Sequence, residues 1–385
     1  SLRLAAAESA TLLGGHELEN AARQLIDRAE GRSDPVALTD RLIAVRLLSG
    51  PKSGHSELLL AMADSSDNTI AALAWRRLFD VDPALIESRF ERGLKHPDPR
   101  VRVLASKVIE AFPTDDRVRS LGATLDDSHP SVREAARATL LSAAVQSRFA
   151  DVAHEVVTEA LQSSSWRGLE QAALYAGSVP YRPVAGRLVE LIRHDRPEVA
   201  VASALALRQL AVPETLPQIY DYASELSPLV IDGRVPRHCE GVLAYLFEAC
   251  GVMQYQPADV LLQSWLPKVE PMFGYEYARS AAIDALGRLH ENSDDEQLAR
   301  QFLGRLTDPG TMPPESNSAR LTAAIAIGRL NCKAVINDLR AVPSLASDVD
   351  LAVNWALHRL AGDALMAPQP QIEPGIDWFL MPVKR

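Results

Sequence analysis

The side chains of this 385-residue chain that could do chemistry are three cysteines, nine histidines and several paired carboxylates. Zinc sites draw on Cys or His pairs a few residues apart. Cys239, Cys250 and Cys332 fall in no such pattern, and no His-Glu-x-x-His pair occurs. His96, His129 and His194 each stand at the same point of a polar turn, a recurrence that turn geometry explains and ligation does not. Acyl-transfer enzymes place a serine in Gly-x-Ser-x-Gly, and phosphate cradles need glycine-rich loops; neither is present. Asp115-Asp116, Asp126-Asp127 and Asp294-Asp295 lie at helix beginnings or turns, where carboxylates cap backbone N–H groups and complement the helix dipole. The expectation is a chain with no catalytic residue, no metal and no cofactor.

Charge and hydropathy narrow the partners. The chain has 40 basic and 50 acidic residues, a net charge of −10. Residues 1–200 carry 25 basic and 28 acidic side chains, and residues 201–385 carry 15 and 22. Nucleic-acid binding draws its affinity from Lys and Arg neutralising phosphates, so none is expected here. No apolar run approaches the roughly 20 residues of a membrane span. The cysteines read as buried thiols acting as small apolar residues, which fits a reducing compartment such as the cytoplasm. The chain begins Ser1-Leu2-Arg3 without an initiator Met, which is compatible with a removed export signal.

The elements that must position these residues are helices. Apolar side chains recur at three and four positions, and strand-like alternation is hard to find. The sequence is 47% hydrophobic but only 5% aromatic, and its 25 prolines supply many helix boundaries. Asp34-Pro35, Asp82-Pro83, Asp98-Pro99, Pro130-Ser131 and Arg196-Pro197-Glu198 each read as a helix start.

A larger period organises the helices. Ile70-Ala71-Ala72-Leu73-Ala74, Val101-Arg102-Val103-Leu104-Ala105 and Val132-Arg133-Glu134-Ala135-Ala136 begin 31 residues apart (101 − 70 and 132 − 101). Leu169–Ala173 and Val199–Ser203 continue the series. Ala281–Leu289, Ala323–Leu330 and Val353–Leu360 form a second set. Helix pairs of this length cannot bury their apolar stripes alone and must stack.

Leu125-Asp126-Asp127-Ser128-His129-Pro130-Ser131-Val132-Arg133-Glu134-Ala135-Ala136 resembles the HEAT signature, in a short-period form similar to the repeats of phycobilisome lyases. The resemblance implies an all-α fold, an α-α superhelix of antiparallel helix pairs. It covers residues 1–361 as one continuous solenoid, clearest over about 60–211 and 275–361. Residues 212–274 read as an irregular insertion or divergent repeats, with a loop at Pro228–Pro236. Residues 362–385 read as an extended tail capping the last repeat. In such proteins an Asp before the turn pairs with the Arg of the Val-Arg step, here Asp126 with Arg133.

HEAT-like proteins commonly bind protein or peptide partners, and the resemblance puts the helix beginning at Val-Arg on the concave side. Arg102, Arg133, Trp166, Arg167, Arg279 and Arg320 are the candidate partner-binding residues, since Arg and Trp are favoured interface anchors. The alternative for Arg102 and Arg133 is a bridge between repeats. The aromatic stretch 245–277 is a second candidate surface, or else core. Two enzymatic readings remain beside the scaffold: a chromophore lyase, and a glycosylase of alkylated DNA bases with Trp75, Trp166 and Trp355 as aromatic faces.

Overall fold

The computed structural model describes residues 5–7, 9–10, 16–32, 34–48, 56–267, 275–308 and 314–367. Helices and turns make up these residues, with no strand among them. The chain divides into two compact units, Ser1–Val212 and Pro213–Arg385.

In the first unit the longer helices are α1 His16–Ala29, α2 Pro35–Leu47, α3 Ser56–Ala63 and α4 Asn68–Val81. After a short α5 Phe90–Leu94 come α6 Pro99–Ala111, α7 Asp115–Thr124, α8 Pro130–Val145 and α9 Ala150–Gln162. α10 Trp166–Ser178, α11 Ala185–Leu191 and α12 Pro197–Leu210 complete it. Helices α4, α6, α8, α10 and α12 stack side by side and carry the 31-residue repeat. Their inward residues include Ile70, Val101, Val132, Leu169 and Val199, each at most 1% exposed.

Local sequence sets where these helices begin. Asp34, Asp67 and Asp98 take extended backbone and accept from first-turn N–H groups, while Pro35 and Pro99 occupy positions where no N–H is needed. Asp82-Pro83 opens a 3₁₀ helix, Pro83–Arg89, rather than the expected α-helix. Similar 3₁₀ turns at Arg182–Val184, Gln256–Ala258 and Lys333–Val335 each lead into a helix of five to seven residues.

The second unit contains α13 Leu216–Ile231, α14 His238–Val252, α15 Asp259–Gln263 and α16 Glu276–Leu289. α17 Glu296–Thr307, α18 Asn317–Leu330, α19 Ile336–Arg340 and α20 Ser347–Ala361 follow. Here α14, α16, α18 and α20 stack in order. Glycine permits the close approach: a Cβ on Gly251 would stand 2.5 Å from the Cα of Ala285, and one on Gly287 would stand 2.9 Å from that of Ala326.

The loop expected at Pro228–Pro236 begins later. α13 runs through Pro228 to Ile231, held by the buried Leu226 and Val230 on either side of the proline. At the other end, Gly362 takes φ +76° and closes α20 with its N–H on the His358 carbonyl. The chain then folds back: Asn354 Nδ2 donates to the Ala364 carbonyl, and the Met366 N–H donates to Asn354 Oδ1. The capping tail expected beyond Ala367 lies outside the described residues.

Candidate functional site

Four of the six candidate side chains share one address. Arg102, Arg133, Arg279 and Arg320 are each the fourth residue of their helix, α6, α8, α16 and α18. A fourth-residue side chain leans back over the helix start, which brings it to the preceding turn. Arg102 donates Nη1 to the carbonyls of His96 and Pro97, at 2.7 and 3.0 Å. Its fork then crosses to Asp127 in the turn of the next repeat, Nε to Oδ2 at 2.7 Å and Nη2 to Oδ1 at 2.8 Å. Arg133 repeats the first half, on the carbonyls of Asp127 and Ser128, and reaches toward Glu170 at 3.9 Å.

This corrects the expected Asp126–Arg133 pair. Asp127 is the residue that turns toward the repeat stack, and Asp126 instead accepts from the Ser165 hydroxyl at the start of α10. Burial works against the charge on Asp127, but the Arg102 fork and the His129 N–H outweigh it and hold the carboxyl below its usual range.

Arg279 is also internal. It is 2% exposed and lies 3.1 Å from Glu315, itself 7% exposed, while Arg305 approaches the same carboxylate at 3.4 Å. Beside it, buried Glu240 of α14 accepts from the N–H groups of Tyr277 and Ala278 and so caps α16 from the neighbouring repeat. No sequence signal marks Glu240 or Glu315, neither of which stands beside a basic residue. Arg320 is half-buried; it makes no hydrogen bond or ion pair among the described residues, and its Nε is shielded from solvent.

Trp166 and Arg167 have a different setting. They open α10 and are half-buried, not enclosed. Three guanidiniums gather on the Trp166 ring: Arg196 at 4.2 Å from its centroid, Arg167 at 4.9 Å and Arg133 at 5.7 Å. Such contacts hold cations over the negative face of the indole. Arg196 stands just ahead of α12 and is exposed. The sequence presents it as helix punctuation before Pro197. Its signal was there: it lies one repeat, 30 residues (196 − 166), beyond Trp166.

The other aromatic candidates divide between core and surface. Trp75 is 2% exposed, with its ring against Gly93, so it offers no face to a ligand. Trp355 packs on Gly328 and has Arg359 over its ring at 5.8 Å. In the stretch 245–277, Phe247 and Trp265 are core, edge to face at 5.7 Å, and Trp265 donates its indole N–H to Ser227 at 2.8 Å. Tyr277 is exposed. The histidine turns carry backbone roles: Nδ1 of His96 accepts from the Asp98 N–H, and Nδ1 of His194 from the Arg196 N–H.

No group of three or more His, Cys, Asp or Glu that could hold a metal ion occurs among the described residues. Cys250 and Cys332 are buried, and burial pushes the Cys250 thiol up to about 12. No helix among the described residues is long and apolar enough to cross a membrane.

No protein-family model and no curated protein sequence matches the chain. Solved structures do. Importin beta superposes with a TM-score of 0.62 at 15% identity, over 90% of this chain and 55% of its own. A multiply substituted Kap121p gives 0.59 at 13% identity, over 94% and 46%. Kap121p bound to RanGTP gives 0.56 at 13%, over 91% and 45%. The chain spans about half the length of these proteins. The fold is that of a HEAT-repeat α-solenoid.

Proposed function

We propose that this protein is a non-catalytic binding solenoid that holds a protein or peptide partner at the edge formed by Trp166, Arg167 and Arg196. The observation that carries this reading is the half-buried indole with three arginines on it. Elsewhere the same residue types are spent internally, as in Arg102 on Asp127, Arg279 on Glu315 and Trp75 in the core. Half-buried aromatic and arginine side chains together are the usual composition of an energetic centre in an interface. Kap121p, similar in fold, has been solved with RanGTP, so the architecture is compatible with holding proteins. A cytoplasmic location is part of the proposal, since a reducing compartment keeps cysteines as thiols.

Affinity capture from the native organism tests it, comparing the wild type with a Trp166→Ala, Arg167→Ala double variant. At least one protein retained by the wild type is expected to be lost by the variant. Identical sets of retained proteins would overturn the assignment of this edge.

A further inference from the structure

Two of the arginines around Trp166, Arg167 and Arg196, carry charge that their own protein matches weakly or not at all among the described residues. Arg167 makes no ion pair among the described residues. Arg196, exposed, meets the half-buried Glu198 at only 3.5 Å, a long contact that contributes little. Arg133 adds a third positive charge to the same ring. Like charges so close repel, and an indole face offsets part of that cost.

The backbone adds charge of the same sign. The turn before α6 is capped by Asp98, but α10 and α12 have no side-chain cap: Ser165 gives its hydroxyl to Asp126, and a guanidinium such as that of Arg196 has no acceptor to offer. Two adjacent helices therefore bring first turns without a side-chain cap to the edge where Trp166, Arg167 and Arg196 stand; α10 has no acidic residue in that turn, and α12 has Glu198.

We propose that this edge binds a carboxylate-rich segment of the partner protein, with one acidic side chain on Arg167, another on Arg196, and the intervening chain over Trp166. The inference rests on the binding reading above and names the chemistry of the partner. Guanidinium forks take carboxylates through two parallel bonds. Two guanidinium carbons 4.9 and 4.2 Å from one centroid can be no further apart than those distances laid end to end. About three residues of extended chain, at ~3.3 Å each, cover that span. Two acids within three residues of each other can thus reach both forks. On a protein of net charge −10 the attraction must come from this local patch, so binding weakens with salt.

The test uses a fluorescein-labelled peptide with a central Glu-Asp-Glu run, its Gln-Asn-Gln isostere, and a phosphoserine peptide of the same length, read by anisotropy. The Glu-Asp-Glu peptide is expected to bind about tenfold more tightly than the isostere, and an Arg167→Gln, Arg196→Gln variant to lose about that factor. Arg76→Gln, at an exposed site paired with Asp80, leaves binding unchanged. Equal binding of peptide and isostere, or wild-type affinity in the double variant, overturns the proposal. So does a clear preference for the phosphoserine peptide, or displacement by inorganic phosphate at concentrations matching the peptide. Failure here with partner capture still dependent on Trp166 removes the acidic chemistry alone; failure of both removes the binding edge itself.

Discussion

Arg102 in one repeat and Asp127 in the next are joined by two parallel bonds of 2.7 and 2.8 Å, so a single arginine ties a helix, its own leading turn and the neighbouring turn together. Both side chains are 13% exposed. Removing one member strands the other's charge. Arg102→Ala is expected to destabilise the protein by about 2–3 kcal/mol, the scale of a lost hydrogen bond to a charged group. Urea unfolding followed by circular dichroism checks this, and a change under 0.5 kcal/mol, roughly that of an ordinary surface substitution, would contradict it.

Arg279 and Glu315 are enclosed more fully, and their pair tests a different point. Arg279→Ala leaves the buried Glu315 carboxylate with the longer Arg305 contact alone and should cost about 3 kcal/mol. Substituting both, as Arg279→Met with Glu315→Leu, removes the two buried charges together, leaves the less buried Arg305 to solvent, and should recover part of that loss. Equal damage from the single and the double substitution would show that packing, not charge, is at stake there.

Acid should weaken the first unit through three groups. Burial lowers the pKa of His96, and the Arg100 hydrogen bond lowers that of Asp98. Asp127 is lowered despite its burial. A group whose folded pKa is depressed stabilises above its unfolded value, and the contribution is lost as pH falls through the folded value. Stability is therefore expected to decline from below about pH 6.5, where His96 begins to protonate in the unfolded chain, and again below about pH 4, where the carboxylates do. Hydrogen exchange across residues 90–133 at pH 7, 5 and 3.5 reads this; rising protection toward acid would refute it.

Glu240 runs the other way. Burial raises its carboxyl pKa, although the Tyr277 and Ala278 N–H groups favour the charged form. A raised acid stabilises below its unfolded pKa, and that contribution disappears as pH rises through the folded one. Glu240→Gln should compare more favourably with the wild type at pH 7 than at pH 4. The opposite trend in unfolding midpoints would show that the charged carboxylate is the preferred cap.

Ala211 ends α12 with φ +47°, its N–H on the Leu207 carbonyl. A left-handed conformation is costly for any residue with a Cβ. Ala211→Gly is expected to stabilise by about 0.5–1 kcal/mol, visible as a higher thermal midpoint. Gly362 already occupies the equivalent position after α20.

The stacking was legible because its signals are local and repeated. Val101-Arg102 and Val132-Arg133 recur at a fixed spacing, and small residues such as Ala285 and Gly287 recur where backbones touch. The charge bridges were legible only to within a residue. Asp126 and Asp127 are neighbours in sequence, and the turn's backbone decides which one faces the stack. Glu240 and Glu315 act across repeats on residues about 37 positions away, beyond any short motif. Arg196 reads as part of a helix boundary, and only its 30-residue distance from Trp166 points to its place over that ring.

In the proposed function a partner sits on Trp166, Arg167 and Arg196. Deuterium exchange of the protein alone and with its captured partner measures this most directly. Protection is predicted over residues 163–170 and 194–200, at the uncapped starts of α10 and α12. Protection confined to other segments, with these two unchanged, would contradict the account.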